Sequence, residues 1–469
     1  AGVLAHATEG LRGRRGMVWH AASGALARLT LRRPVLIAFL AWACIGHQLA
    51  LADDGEGDAA DAGAALRSME SCKMSEQEAC PLAGLIWDEP AMIYPGGKTR
   101  CIFSSEPDYA FQVFRGDARK LLVFFQGGGI CWNQLSTMTY RPTPCHTSLV
   151  PQPSQGLFDR ASDANPFRHY TVVHIQHCSG DMHVGDTERW YTDEKGARVE
   201  QRGYQNALAA LDWTTANMNT HLEDLVVGGC SAGALAAQFW APRLFSRLQA
   251  IRTAVLADSY AGVFPGNRAA SGGLSTEGGL LHDFGTCETG LLRGRLLTAC
   301  QGETLAVADV FDVAMQMFPA VAFAGVNSKA DWLQIAVYRA FARESLLPGA
   351  DLNASDFYVA LNLLLERYNR NPNYVSYLVA GNTHCFATST LFYSADARGP
   401  NGTQSRSGAS EASVPLATWV GALPVRPGEV VESRCHGTLL RRKSWSGIGY
   451  CDAALAGKAF HFSEAPPTS

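Results

Sequence analysis

Charge is scarce in this chain. Only 17% of its 469 residues are Asp, Glu, Lys or Arg, while 47% are apolar. That balance excludes a disordered, solvating polymer and leaves ample apolar surface for a large core. A formal net charge of −4 lacks the basic excess of a nucleic-acid binder. Long apolar runs are missing too, so no segment beyond the N-terminal region is suited to crossing a bilayer. No two CxxC pairs stand at zinc-finger spacing, and no internal repeat is visible.

The little charge there is divides unevenly. Residues 1–52 hold six Arg and one Glu, a balance of +5, so the total of −4 leaves −9 on the other 417 residues. Arg32 and Arg33 precede the apolar run from Pro34 to Ile45, and Ala50-Leu51-Ala52 follows. A basic start, a short apolar stretch and an A-x-A end describe a secretory signal peptide cleaved near Ala52. An uncleaved anchor is the weaker alternative, because the run is short for a membrane span. Met17 lies upstream of the Arg pair, so residues 1–16 are assigned no fold. The expected location is secreted or periplasmic.

Cysteine usage agrees with export. Of 13 cysteines, Cys44 leaves with the leader and twelve remain: Cys72, Cys80, Cys101, Cys131, Cys145, Cys178, Cys230, Cys287, Cys300, Cys385, Cys435 and Cys451. An even number in an exported chain favours disulfides, whose pairing the spacing leaves open.

Residues 53–68 are rich in Asp, Gly and Ala and read as a flexible lead-in to one domain over 69–469. Strand-like apolar runs occupy 120–125, 170–175, 225–227, 253–257 and 375–379, and Gly203 to Asn219 has helical spacing. Such runs alternating with helices predict a mostly parallel sheet with helices on both faces. Residues 261–350 contain no clear strand and are expected to form a helical and loop insertion, or cap. Residues 399–414 read as an exposed loop.

Polar clusters follow the runs at the carboxyl ends of the strands, where such sheets place their sites. Gly229-Cys230-Ser231-Ala232-Gly233 is G-x-S-x-G between a strand and an apolar helix, the context of a nucleophile elbow. Ser231 is the candidate nucleophile. Gly127-Gly128-Gly129 follows an earlier strand and offers unobstructed amides for an oxyanion, with Ala232 N–H as a further donor. The base is expected among His282, His384, His436 and His461, and His384 alone directly follows a strand. Asp258, Asp283, Asp309, Asp312, Asp331, Asp351 and Asp356 all qualify by chain order as the acid. His177, Asp181, His183 and Asp186 lie within ten residues. Their spacing matches no standard metal motif, so a wall of the cleft is the preferred reading and no metal or cofactor is expected.

Together these segments resemble the pectin acetylesterase family over roughly residues 95–395, its bacterial members above all. The matching pieces are Phe125 to Asn133, Cys178 to Asp186, Gly229 to Gly233, Asp331-Trp332-Leu333-Gln334 and His384-Cys385. The resemblance implies an α/β-hydrolase-like fold and a serine esterase with Ser231, Asp331 and His384 as its triad. It implies Gly128, Gly129 and Ala232 as the oxyanion hole, and Gln126, Ile130, Trp132, Asp181 and His183 along the substrate cleft. Many members have Glu where this chain has Gln126, and Trp where it has Ile130. The implied disulfides are Cys101–Cys178, Cys131–Cys145, Cys287–Cys300 and Cys385–Cys451, with Cys230 a buried free thiol. The expected substrate is an ester, foremost an acetylated polysaccharide such as pectin. The alternatives are a lipid, polyester or protein-acyl esterase of the same fold, and a non-catalytic binding protein. A thiol enzyme using Cys230 is disfavoured, because the residue before an elbow nucleophile points into the fold.

Overall fold

Alternation within the apolar runs decides the architecture. Along residues 121–125, Leu121, Val123 and Phe125 enter one core, while Leu122 and Phe124 enter another on the opposite side. Leu225 and Val227 oppose Val226 in the same way, and Val255 opposes Ala254 and Leu256. A strand that is apolar on both faces must lie inside a sheet covered on both sides.

The computed structural model describes residues 69–103, 108–140, 143–219, 221–266, 277–402, 414–426, 429–434 and 459–461. The expected leader and lead-in lie outside the described residues, as does most of the 399–414 loop. The strands are β1 (Glu70–Lys73), β2 (Pro90–Tyr94), β3 (Phe111–Phe114), β4 (Asp117–Phe125), β5 (Tyr170–Ile175), β6 (Thr187–Thr192), β7 (Arg198–Gln201), β8 (His221–Cys230), β9 (Gln249–Asp258), β10 (Ala322–Ser328), β11 (Tyr374–Val379), β12 (Val430–Glu432) and β13 (Ala459–His461). Nine of them form one sheet in the order β1-β2-β3-β5-β4-β8-β9-β10-β11. Only β3 pairs antiparallel with its neighbours in it. β6 and β7 form a separate hairpin, and β12 pairs with β13.

Helices Gly203–Asn217, Ala232–Arg247, Val307–Met317 and Ala354–Tyr368 pack their apolar residues into the first core. The short helices Leu391–Ser394 and Leu416–Gly421 serve the second. The chain therefore has the α/β-hydrolase-like fold expected of it.

One expectation is corrected. The stretch 261–350 does contain a strand, the fully buried β10, which pairs with both β9 and β11. Its Ala-Phe-Ala-Gly-Val core has few β-branched residues, so the usual strand signal is weak. Small residues are needed there: a Cβ on Gly325 would stand 2.5 Å from the Tyr374 hydroxyl.

Disulfides join Cys101–Cys178, Cys131–Cys145 and Cys287–Cys300, as the resemblance implies, and also Cys72–Cys80. The expected Cys385–Cys451 bridge and free Cys230 are corrected: Cys385 pairs with Cys230. Their Cα atoms are 5.8 Å apart, a separation that a bridge spans. Cys451 lies outside the described residues.

Gly325→Val should lower stability by about 1–3 kcal/mol through overpacking against Tyr374. Thermal unfolding, compared with the milder Gly325→Ala, measures it.

Candidate active site

β8 runs straight into the helix Ala232–Arg247, and the chain reverses at Ser231 with φ +56° and ψ −122°. This conformation costs a non-glycine residue on the order of 1–3 kcal/mol, so its surroundings must enforce it. The glycines around it allow the approach. A Cβ on Gly229 would collide with the carbonyl of Gly233, and one on Gly233 with that of Phe125. The Ser231 N–H is held by the Asp258 carbonyl at 2.8 Å.

The glycine loop after β4 folds against this bend. A Cβ on Gly127 would lie 3.2 Å from Ser231 Cβ, and Gly128 and Gly129 take φ +136° and +68°. The loop is pinned by His146 N–H to Gly128 O (2.8 Å) and Ile130 N–H to Pro144 O (3.0 Å). The amides of Gly128, Gly129 and Ala232 donate to no protein group among the described residues. Ala232 is also the first residue of its helix, where the dipole favours negative charge.

Asp331 caps the helix Trp332–Glu344, accepting from Leu333 N–H (3.1 Å) and Gln334 N–H (3.0 Å). Gln334 Nε2 adds a third donor at 3.0 Å, which gives the D-x-x-Q spacing its physical meaning. Both carboxylate oxygens meet His384 Nδ1, at 2.9 and 2.8 Å. The two loops are also stitched by backbone: Trp332 N–H donates to Asn382 O at 3.1 Å. Burial opposes charge on the His384 ring. Asp331, and more remotely Asp258, outweigh it and hold the imidazole above its ordinary value of 6.5. His384 Nε2 has no partner, and Ser231 Oγ makes no hydrogen bond among the described residues. In unliganded sites such contacts often tighten only around substrate.

Asp258 is the member that the sequence did not single out. It ends β9 and is fully buried. Its carbonyl grips Ser231, while its carboxylate accepts from Phe386 N–H (2.8 Å), Ala387 N–H (2.7 Å) and Ser259 Oγ (2.8 Å). Ser259 Oγ in turn accepts from Cys385 N–H at 2.8 Å. One residue thus fixes both the serine bend and the loop that follows His384. Its sequence signal, an Asp at a strand's carboxyl end, is one it shares with other candidates.

The remaining expectations fare differently. Trp132 lines an open pocket of about 610 Å³ with Asn133, Arg189, Trp190 and Asp283, and no triad residue takes part in that lining. Asp181 and His183 are fully buried, and their expected place on the cleft surface is corrected. Asp181 satisfies Ser179 Oγ, His183 N–H and Gly203 N–H, and His183 Nε2 meets Gln126 O. Burial raises the Asp181 carboxyl to about 6. Gln126 is also buried, bridging Val150 O and His177 N–H, and Ile130 is 6% exposed. Short polar side chains after a strand serve unpaired backbone groups before they serve a ligand. The polar atoms of the His177, Asp181, His183 and Asp186 cluster engage different partners: His177 Nε2 accepts from Met182 N–H, and Asp186 pairs with Arg202.

Residues 96–281 match the sequence model of the Pectinacetylesterase family. The match takes in the glycine loop and Ser231, while Asp331 and His384 lie beyond its end. The chain is similar to pectin acetylesterase 11 of Arabidopsis thaliana, 27% identical over 146 residues, which cover 29% of this chain and 36% of that protein. The alignment thus spans about a third of the plant relative's length. Among solved structures, the Wnt deacylase Notum of Drosophila aligns with a TM-score of 0.45 and 14% identity, covering 67% of this chain and 91% of that one. Neither relative is bacterial, so the expected bacterial kinship gains no support.

Titration of the His384 imidazole, followed by NMR, should fall above 6.5. Asp331→Asn removes the strongest factor favouring the charged ring and leaves its burial, so the titration should drop below that value.

Proposed function

We propose that the chain is a secreted serine carboxylic-ester hydrolase acting by acyl transfer, with an acetylated polysaccharide as substrate. The reading is carried by the juxtaposition of a strained serine bend, three amides unpaired among the described residues and a buried carboxylate–imidazole pair at one corner of the sheet. The Pectinacetylesterase match over residues 96–281 supports the ester chemistry. The five disulfides among the described residues support an oxidising location.

His384 takes the Ser231 proton through Nε2 as Oγ attacks the ester carbonyl. Asp331 holds Nδ1–H, which fixes the tautomer and stabilises the imidazolium that forms. The carbonyl oxygen becomes an oxyanion among the Gly128, Gly129 and Ala232 amides, each worth about 3 kcal/mol of barrier. His384 then gives its proton to the departing alcohol, and the acyl group stays on Ser231. Water, deprotonated by His384, releases the acid by the same route in reverse.

Ser231→Ala should reduce turnover of a nitrophenyl acetate by about a millionfold, and Asp331→Asn by about 10⁴. The base must be neutral to act. Because the His384 value is raised, kcat/KM should fall as pH drops through a point above 6.5, with a plateau on the alkaline side. Ser231→Ala protein at wild-type activity, or an acid limb well below 6.5, contradicts the assignment. Acetate release from a panel of acetylated polysaccharides, beside short and long acyl esters, tests the substrate class.

A further inference from the structure

Two sulfur atoms flank the catalytic pair, and acyl transfer uses neither. Cys230 precedes Ser231, Cys385 follows His384, and a bridge joins them across a sequence separation of 155. Cys230 is 2% exposed within the second core, and Cys385 packs against that core while staying partly exposed. Their sulfurs and an imidazole nitrogen of His384 all lie within 4.8 Å of one another. No other histidine among the described residues belongs to such a group of three metal donors.

The imidazole is already oriented as a ligand. Asp331 engages Nδ1 at 2.9 and 2.8 Å, and Nε2 has no partner among the described residues. Histidines that hold metals usually donate the other ring N–H to a carboxylate, which fixes the tautomer and frees one lone pair for the ion. Asp331 already does this for His384. A metal at Nε2 would occupy the same lone pair that must receive the Ser231 proton.

Sulfur chemistry decides when the site exists. Bridged cysteines have no thiolate to offer. A dithiol reductant opens the bridge by exchange: its own thiols become a disulfide, and Cys230 and Cys385 receive its two electrons and two protons. Donors around a tetrahedral zinc stand about 3.3–3.8 Å apart, given bonds of about 2.0–2.3 Å. The unbonded sulfurs reach that spacing by parting. Zn²⁺ displaces the two thiol protons, and the two thiolates cancel its charge, so the complex adds no net charge to a buried corner. Thiolate and imidazole donors favour zinc over magnesium or calcium. Water takes the fourth position.

We propose that Cys230, Cys385 and His384 form a thiol-gated Zn²⁺ site that silences the esterase when the bridge is reduced. The silencing rests on the serine-esterase reading, and the metal binding does not.

The test compares the full-length chain before and after reduction by a phosphine, which becomes its oxide with oxygen from water and is then removed. Co²⁺ serves as the spectroscopic stand-in for Zn²⁺. Reduced wild type should bind one more equivalent of Co²⁺ than reduced Cys230→Ser/Cys385→Ser protein, a comparison that subtracts any sites made by the other four opened bridges. That equivalent should carry the near-ultraviolet charge-transfer band of a cobalt thiolate. His384→Ala should weaken its binding at least about tenfold. At free Zn²⁺ of about ten times Kd, turnover of nitrophenyl acetate by reduced wild type should fall about tenfold, and a chelator should restore it. The same Zn²⁺ should not alter the rate of oxidised wild type or of the double variant. Equal metal uptake by reduced wild type and double variant overturns the site. So does uptake indifferent to His384→Ala, uptake that leaves turnover unaffected, or loss of the fold on reduction without extra uptake. Extra uptake in a chain that has no esterase activity when oxidised overturns the catalytic reading alone.

Discussion

The double grip of Asp258 is the constraint on which the rest of the site depends. Its carbonyl fixes the amide of Ser231, and its carboxylate gathers the amides that follow His384. Nucleophile and base come from strands separated by more than 140 residues, and the residue between them in the sheet holds both. The carboxylate must stay buried to do this, and burial raises its proton affinity; the Phe386, Ala387 and Ser259 donors and the nearby His384 oppose that rise. The Cys230–Cys385 bridge joins the residue before Ser231 to the residue after His384.

The acid arrives by a similar logic. β10 lies one strand in from the sheet edge and is fully buried, and it delivers Asp331 as a helix cap just beyond its carboxyl end. The carboxylate that accepts from the helix-end amides also keeps both its oxygens beside His384 Nδ1. Capping and imidazole orientation are one arrangement, which is why Gln334 belongs to it. The same helix ends at Glu344, whose carboxylate braces Trp132 and Asn133. One helix therefore fixes the carboxylate that orients His384 at its start and braces Trp132 and Asn133 at its end.

Much of this was legible in the sequence. β4, β5, β8, β9 and β11 announced themselves by apolar runs, and the glycines at 229 and 233 announced the close approach around Ser231. β10 was hidden, because Ala and Gly suit its crowded position and carry little strand signal. Asp331 emerged through family resemblance, since chain order left seven aspartates open. The fate of Asp181 and His183 could not be read from spacing: a polar residue after a strand can face ligand or backbone, and only the unpaired amides of the folded chain decide which.

Trapping the covalent intermediate tests the central claim most directly. Protein quenched in acid during turnover of nitrophenyl acetate should yield, by mass spectrometry, one acetyl group on the peptide containing Ser231. That adduct should vanish in Ser231→Ala and persist longer in His384→Ala, where water lacks its base. Sustained turnover with no acetyl group on Ser231, or with the acetyl group on another residue, contradicts the account.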